Sequence, residues 1–271
     1  MKKDLLNQIK SKAKKNHARV GIGIRGVNEK ILFDIDSASE FADIVLIGDE
    51  KKIQEYGLNL EIIDTTNPEH TLVDVFMENK IDAAVRGSIK ASATLSYLKK
   101  SLSLEKIHRL SLLQTPNNEL FFFAPVGIDE VKTLSDKIEF IIKGVQFIRR
   151  FGIEPRVGVL SGGRFDDIGR DEIVDRTLAD ADFVANRVCE LGISAKHYAI
   201  LIESAVKEAD FIFAPDGISG NLIFRTLVFL GAGRGFGAPI INIREIDKVF
   251  VDTSRVKPDY SKAIMMASAT I

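Results

Sequence analysis

The sequence predicts an α/β protein built as two lobes around a cleft, and three observations carry the expectation. Short β-branched strings alternate with longer stretches of helical period, the pattern of parallel strands covered by helices. Midway, two closely spaced strands with a turn between them interrupt the alternation. A long amphipathic helix then leads into a second alternating half. At 271 residues the chain has room for one large domain or two modest ones.

Residues 1–15 space Leu5, Leu6 and Ile9 along one helical face and lysines along the other, so a short docking helix is expected. The segment lacks the apolar stretch of a signal peptide. Strands are expected at 20–24, 44–47, 61–63 and 83–85, each a short apolar or β-branched string followed by Gly, Asp or Thr and a helical pattern. Residues 107–113 and 120–124 flank Thr115-Pro116-Asn117-Asn118, a turn-forming run, and read as a hairpin. Residues 129–150 set Val131, Leu134, Ile138, Ile141, Ile142, Val145 and Ile148 at three- and four-residue intervals, one long helix crossing into a second lobe. There follow a strand at 156–160, a helix-rich block to 209, a strand at 211–214, a helix at 222–230, strands at 239–243 and 249–251, and a closing helix at 260–269. No low-complexity linker is present, so the join is expected as a packed hinge at 127–130. The first lobe is expected to hold residues 1–128 plus 253–271, and the second 129–252.

The charge balance, 37 Lys and Arg against 38 Asp and Glu, gives no overall field to draw the chain onto nucleic acid or a membrane surface. A small anionic ligand, recognised locally, is the expected partner. No apolar run approaches the roughly 18 residues that span a bilayer. The single cysteine, Cys189, supports neither an intrachain disulfide nor a cysteine-rich zinc site and fits a reducing, cytoplasmic setting.

Ligands of open α/β sheets bind beyond the carboxyl ends of the strands, and four segments stand there. In the first, Arg86-Gly87-Ser88 leads from a strand into a helix, offering free N–H groups, a hydroxyl and a charge to an anion. The same residues also suit a plain turn and cap. In the second, Ser161-Gly162-Gly163-Arg164 follows a strand. Paired glycines allow close backbone approach and the arginine a forked contact, although Asp166, Asp167 and Asp171 nearly neutralise Arg164 and Arg170. In the third, Pro215-Asp216-Gly217 turns into Ser219-Gly220-Asn221, a hydroxyl and an amide at a helix start suited to a phosphate or carboxylate. An N-cap with a packing glycine accounts for it as well. In the fourth, Ser254-Arg255 carries a hydroxyl and a fixed charge with Asp259 four residues beyond the arginine, a possible base. The glycine-rich string 231–237 follows a helix instead of preceding one, the wrong context for a dinucleotide cradle. His17, His70, His108 and His197 fall in four unrelated segments and read as surface or capping residues. Cys189, among Val188 and Leu191, reads as an inert buried thiol. No metal-ligand spacing is present.

Taken in order, these segments resemble the phosphotransacetylase and phosphotransbutyrylase family. Pro-Asp-Gly-Ile-Ser-Gly-Asn-Leu-Ile-Phe-Arg at 215–225 is similar to its Pro-x-x-x-x-Gly-Asn signature, Asp252-Thr253-Ser254-Arg255 to its Ser-Arg element, and the run from Arg86 to Leu95 to its Gly-x-x-x-Thr-x-x-Leu turn. Ser161 stands where that family has a Ser-Phe-Ser loop. The likeness covers most of the chain and implies the isocitrate and isopropylmalate dehydrogenase-like fold, a homodimer, and acyl transfer with coenzyme A or another anionic thiol cofactor in the interdomain cleft. It also implies roles for Ser254, Arg255 and Asp259 in catalysis, and for Arg86, Gly87, Ser88, Ser161, Gly162, Gly163, Arg164, Ser219, Gly220 and Asn221 in binding the cofactor. The sequence departs from the family six residues beyond Arg255, where Ser261 replaces the base aspartate and leaves Asp259 as a shifted substitute. At finer grain the Ser-Gly-Gly-Arg-Phe-Asp-Asp loop and the short length resemble the methanogenesis marker protein 4 group of methanogens, labelled a methyltransferase subunit. That likeness implies a competing role, an accessory factor binding an anionic cofactor within a methyltransferase complex. Metal-dependent dehydrogenation on the related fold ranks last, because the paired metal aspartates have no counterpart.

Overall fold

The computed structural model describes residues 2–26, 28–243, 248–254, 256 and 258–271, with side chains from residue 5 onward. The first half runs α1 (Lys2–Asn16), β1 (Arg19–Gly23), α2 (Glu29–Asp36), β2 (Asp43–Gly48), α3 (Glu50–Gln54), β3 (Glu61–Asp64), α4 (Pro68–Met77), β4 (Ala83–Val85) and α5 (Ala91–Ser101). Then come β5 (Ser111–Gln114), β6 (Leu120–Ala124), α6 (Leu134–Arg149), β7 (Val157–Val159), α7 (Glu172–Glu190), β8 (Ala195–His197), α8 (Ile202–Glu208), β9 (Phe211–Phe213) and α9 (Gly217–Arg225). The chain ends with β10 (Arg234–Gly235), β11 (Ala238–Pro239), β12 (Val249–Asp252) and α10 (Tyr260–Ala269). Two compact units result, residues 6–107 with 236–271 and residues 108–235 with 1–5, and each contains one six-stranded sheet.

In the first unit the strand order is β11-β12-β4-β1-β2-β3, parallel except for β11. Its central strands are buried, as expected of parallel strands covered on both faces, which is why they read as unbroken apolar strings. One core cluster includes Val45, Ile47, Phe76, Ile81, Leu98 and Phe250. β12 arrives from the far end of the chain, with Val249, Phe250 and Val251 in register with Ala83, Ala84 and Val85. The docking helix α1 is tied to the chain's end: Asn16 Nδ2 donates to the carbonyls of Ser268 (2.9 Å) and Ile271 (2.8 Å), and Ala18 N–H donates to Ser268 Oγ.

In the second unit the order is β10-β5-β6-β9-β7-β8. β5 and β6 form the expected antiparallel hairpin, and β6, β9, β7 and β8 run parallel. The core is rich in phenylalanine, with Phe140 edge-on to Phe213 at 5.6 Å. α6 begins at Leu134, later than expected, because Thr133 caps it: Thr133 Oγ1 accepts from Asp136 N–H while the Asp136 carboxylate accepts from Thr133 N–H.

The units are bounded at 107/108 and 235/236, whereas the sequence suggests 128/129 and 252/253. The hairpin pairs through β6 with β9, and β11 and β12 pair into the first sheet, partnerships between segments far apart in sequence. β8 lies inside the block expected to be helical, and the glycine-rich string supplies β10. Among the described residues no helix is long and apolar enough to cross a membrane.

Candidate functional site

In each unit two of the four candidate segments emerge from neighbouring parallel strands. In the first unit these are β4 and β12, whose ends carry Arg86-Gly87-Ser88 and Thr253-Ser254. Arg86 is 4% exposed. Its Nε pairs with Asp252 and its Nη1 donates to Ile89 O at 2.8 Å, so its charge is already matched inside the fold. Gly87 has φ +66°, and a Cβ there would lie 2.1 Å from Gly23 O, so no other residue fits. Ser88 Oγ donates to Arg25 O and accepts from Arg25 N–H, holding the end of β1. Thr253 Oγ1 donates to Gly87 O at 3.1 Å, stitching the two segments together.

Ser254 Oγ donates to Val256 O and accepts from Val256 N–H, a tight local turn. Arg255 lies outside the described residues. The Asp259 carboxylate caps α10, accepting from Lys262 N–H (3.2 Å), from Ser261 Oγ (3.1 Å) and from the Lys262 ammonium. Three donors therefore compete for the lone pairs a base would use. Sequence reading did not anticipate the Arg25–Glu69 pair beside this region. Arg25 contacts the buried Glu69 through two nitrogens, at 2.9 and 2.6 Å, and Glu69 also accepts from Lys90 N–H at the start of α5.

In the second unit the paired strands are β7 and β9. After β9, Asp216 Oδ1 caps α9 by accepting from Ser219 N–H at 2.8 Å, and Ser219 Oγ donates to Asp216 Oδ2. A Cβ on Gly220 would stand 1.9 Å from Pro125 O, and Asn221 Nδ2 donates to Val126 O at 2.8 Å. Gly220 and Asn221 thus fasten α9 to the loop after β6, while an aspartate already occupies the helix start.

After β7, Ser161 is buried and Gly162 and Gly163 lie against α7: Gly162 N–H donates to Thr177 Oγ1 at 2.8 Å, and a Cβ on Gly163 would stand 2.4 Å from Val174 Cγ1. A cavity of about 300 Å³ is lined by Gly162, Gly163, Asp167, Arg170, Asp171 and Val174. Arg170 is paired with Asp167, and Asp171 caps α7, so this lining favours an anion less than the sequence suggests. Arg164 is exposed, and its N–H donates to Asp167 Oδ2.

His197, read from sequence as a surface or capping residue, is the unexpected member. It sits at the end of β8 with its side chain 5% exposed and Nε2 2.9 Å from Ser161 Oγ. Burial pushes its imidazole down from the ordinary value against a weaker opposing pull from Asp182. No sequence pattern marks it, because β8 is three residues long and falls between helices. Cys189, expected as a buried thiol, is exposed, with Sγ donating to Ala195 O at 3.2 Å.

Two units of this topology, each a mixed six-stranded sheet, define the phosphotransacetylase class of fold. The EutD phosphotransacetylase of Staphylococcus aureus superposes with a TM-score of 0.70 at 16% identity, covering 99% of this chain and 98% of that one. A branched-chain phosphotransacylase of Enterococcus faecalis gives 0.68, also at 16% identity, covering 93% and 99%. No protein-family model matches the chain. In sequence it is 56% identical over 267 residues to the Methanosarcina mazei protein named "Putative methyltransferase mtx subunit X", covering 98% of this chain and 94% of that protein. It is 38% identical over 224 residues to an uncharacterised methyltransferase of Methanocaldococcus jannaschii, covering 77% and 88%. The chain belongs to this mtx subunit X family of methanogenic archaea.

Proposed function

We propose that the protein binds an anionic acyl-phosphate or thiol-cofactor ligand at its strand-end loops and transfers the acyl group as a phosphate acyltransferase does. The observation that carries the reading is the pairing of candidate segments: in each unit two loops rich in hydroxyl and backbone donors rise from the carboxyl ends of adjacent parallel strands, where open α/β sheets bind ligands. In this chemistry a thiolate, from coenzyme A or a similar thiol, attacks the acyl carbonyl. Arg255 steadies the phosphate and the developing oxyanion, Ser254 donates a hydrogen bond, and Asp259 accepts the thiol proton. Ser219 and Asn221, released from Asp216 and Val126, donate to phosphoryl oxygens. A homodimer and a cytoplasmic location belong to the same proposal.

A second reading, an accessory factor that binds the ligand without turnover in a methyltransferase complex, is favoured by one observation. The Asp259 carboxylate is engaged by its own helix and by Lys262, a poor state for a base. Mixing the protein with acetyl or butyryl phosphate and coenzyme A separates the two. Thioester release that falls by about 10² to 10³ in Arg255→Ala supports transfer. A ligand-dependent rise in Tm without thioester supports the binder. Neither release nor a Tm shift overturns both.

A further inference from the structure

We propose that Ser161 is a nucleophilic serine with His197 as its base, and that it accepts an acyl group from an activated carbonyl donor as a serine ester. This role is independent of the one given above to Ser254, Arg255 and Asp259, in which no covalent enzyme intermediate forms.

The geometry begins with adjacent strands. His197 ends β8 in register with Val159 of β7, and Ser161 follows two residues later, which brings Ser161 Oγ within 2.9 Å of His197 Nε2. The hydroxyl has one proton and two acceptors in reach, Nε2 and the carbonyl of Gly163 at 3.2 Å. If it donates to Gly163, Nε2 must carry the ring proton, and Nδ1 is then a buried lone pair with no hydrogen-bond partner. If it donates to Nε2, the ring proton moves to Nδ1 and faces Asp182 Oδ1, 4.0 Å away on α7. In the second arrangement the carboxylate stands beyond hydrogen-bond distance but on the Nδ1 side of the ring, so carboxylate, imidazole and hydroxyl follow in the order that activates a serine. Burial also favours the neutral imidazole, the form that accepts a proton.

The surroundings suit a gated site. Phe165 lies edge-on over the His197 ring, centroids 5.1 Å apart, yet is 54% exposed, so it covers the pair without belonging to the core. The cavity of about 300 Å³ borders Gly162 and Gly163, the two residues after the serine, and is large enough to hold the acyl donor's end. In the step proposed, His197 Nε2 takes the Ser161 proton as Oγ adds to the carbonyl carbon. The tetrahedral species collapses by breaking the bond to the thiolate of a thioester, and the imidazolium returns the proton to that sulfur. The products are a Ser161 ester and a free thiol, and a second thiol or water resolves the ester by the reverse sequence. Asp182 acts as a positioning residue.

The test is phosphonylation of the full-length protein by a fluorophosphonate, which needs neither acyl phosphate nor thiol. Its outcome is therefore separate from the thioester assay, and either can fail alone. The expected result is a single adduct mapped to Ser161, absent in Ser161→Ala, formed at least about 100-fold more slowly in His197→Ala and faster in Phe165→Ala. Because Phe165 and Asp182 are exposed, Phe165→Ala and Asp182→Asn keep the test usable if the His197 variant fails to fold. Asp182→Asn should slow the adduct several-fold. No adduct on Ser161 in wild type or in folded Phe165→Ala, or equal rates in folded His197→Ala and wild type, overturns the proposal.

Discussion

At Gly220 the Pro125 carbonyl stands 1.9 Å from where a Cβ would be, and backbone cannot yield as a flexible side chain can. Gly220→Ala should therefore lower stability by about 1 to 3 kcal/mol, read as a fall in urea midpoint at unchanged m. Asp216→Ala, which removes the cap of α9 and its contact with Ser219 Oγ, should cost about 1 kcal/mol. A Gly220→Ala cost below about 1 kcal/mol would mean that Gly220 is not held by close approach. The contrast shows what was legible here. The cap announces itself within four residues of sequence, Asp216 to Ser219, and the turn-to-helix reading follows from local chemistry. The partners of Gly220 and Asn221 lie some 95 residues earlier, in the loop after β6, so nothing near them reveals that the Gly-Asn pair fastens two elements together. Arg86 is similar: its strand-end position was readable, but its partner Asp252 is 166 residues away. His197 was missed because its significance rests on Ser161, brought close only by the pairing of β7 with β8.

Among the elements, the buried parallel strands were the most legible, since burial on both faces writes an unbroken apolar string. β8 was not, because Ala195–His197 is three partly exposed residues at a sheet edge with no such string. The joint between β1, α4 and α5 was likewise invisible, because it rests on one carboxylate. Glu69, in the first turn of α4, receives Arg25 from the end of β1 and the N–H of Lys90 from the start of α5. Burial alone would raise its pKa, but the Arg25 hydrogen bonds and the N–H donors outweigh that and hold it below the ordinary 4.5. A carboxyl whose pKa is depressed on folding contributes stability above its unfolded value and loses that contribution as pH falls through the folded one. Glu69→Gln should therefore cost about 1.5 to 3 kcal/mol at pH 7, and the gap between variant and wild type should narrow as pH drops below about 4.5. Urea titrations at several pH values measure this, and a gap that stays constant would remove the charge from the account.

Over the whole chain, alternation of strand and helix revealed the fold class, but the boundaries of its units depend on which strands pair, and pairing is not local. The first sheet is completed by β12, the last strand of the chain, and the ion pair of Arg86 with Asp252 secures that closure beneath the surface. Replacing one partner of a buried pair strands the other charge in a medium that cannot solvate it, a cost of about 3 to 5 kcal/mol. Asp252→Ala should thus destabilise the unit built from 6–107 and 236–271 by that amount. The second sheet has its own strands and its own phenylalanine core, so the loss should be confined. Hydrogen exchange followed by mass spectrometry reads both parts at once. Protection should fall in residues 19–23, 43–48, 83–85 and 249–252 while 120–124, 157–159 and 211–213 keep theirs. If protection falls equally in both sets, the two units unfold as one, and if neither changes, the Arg86–Asp252 pair does not hold the closing strand in place.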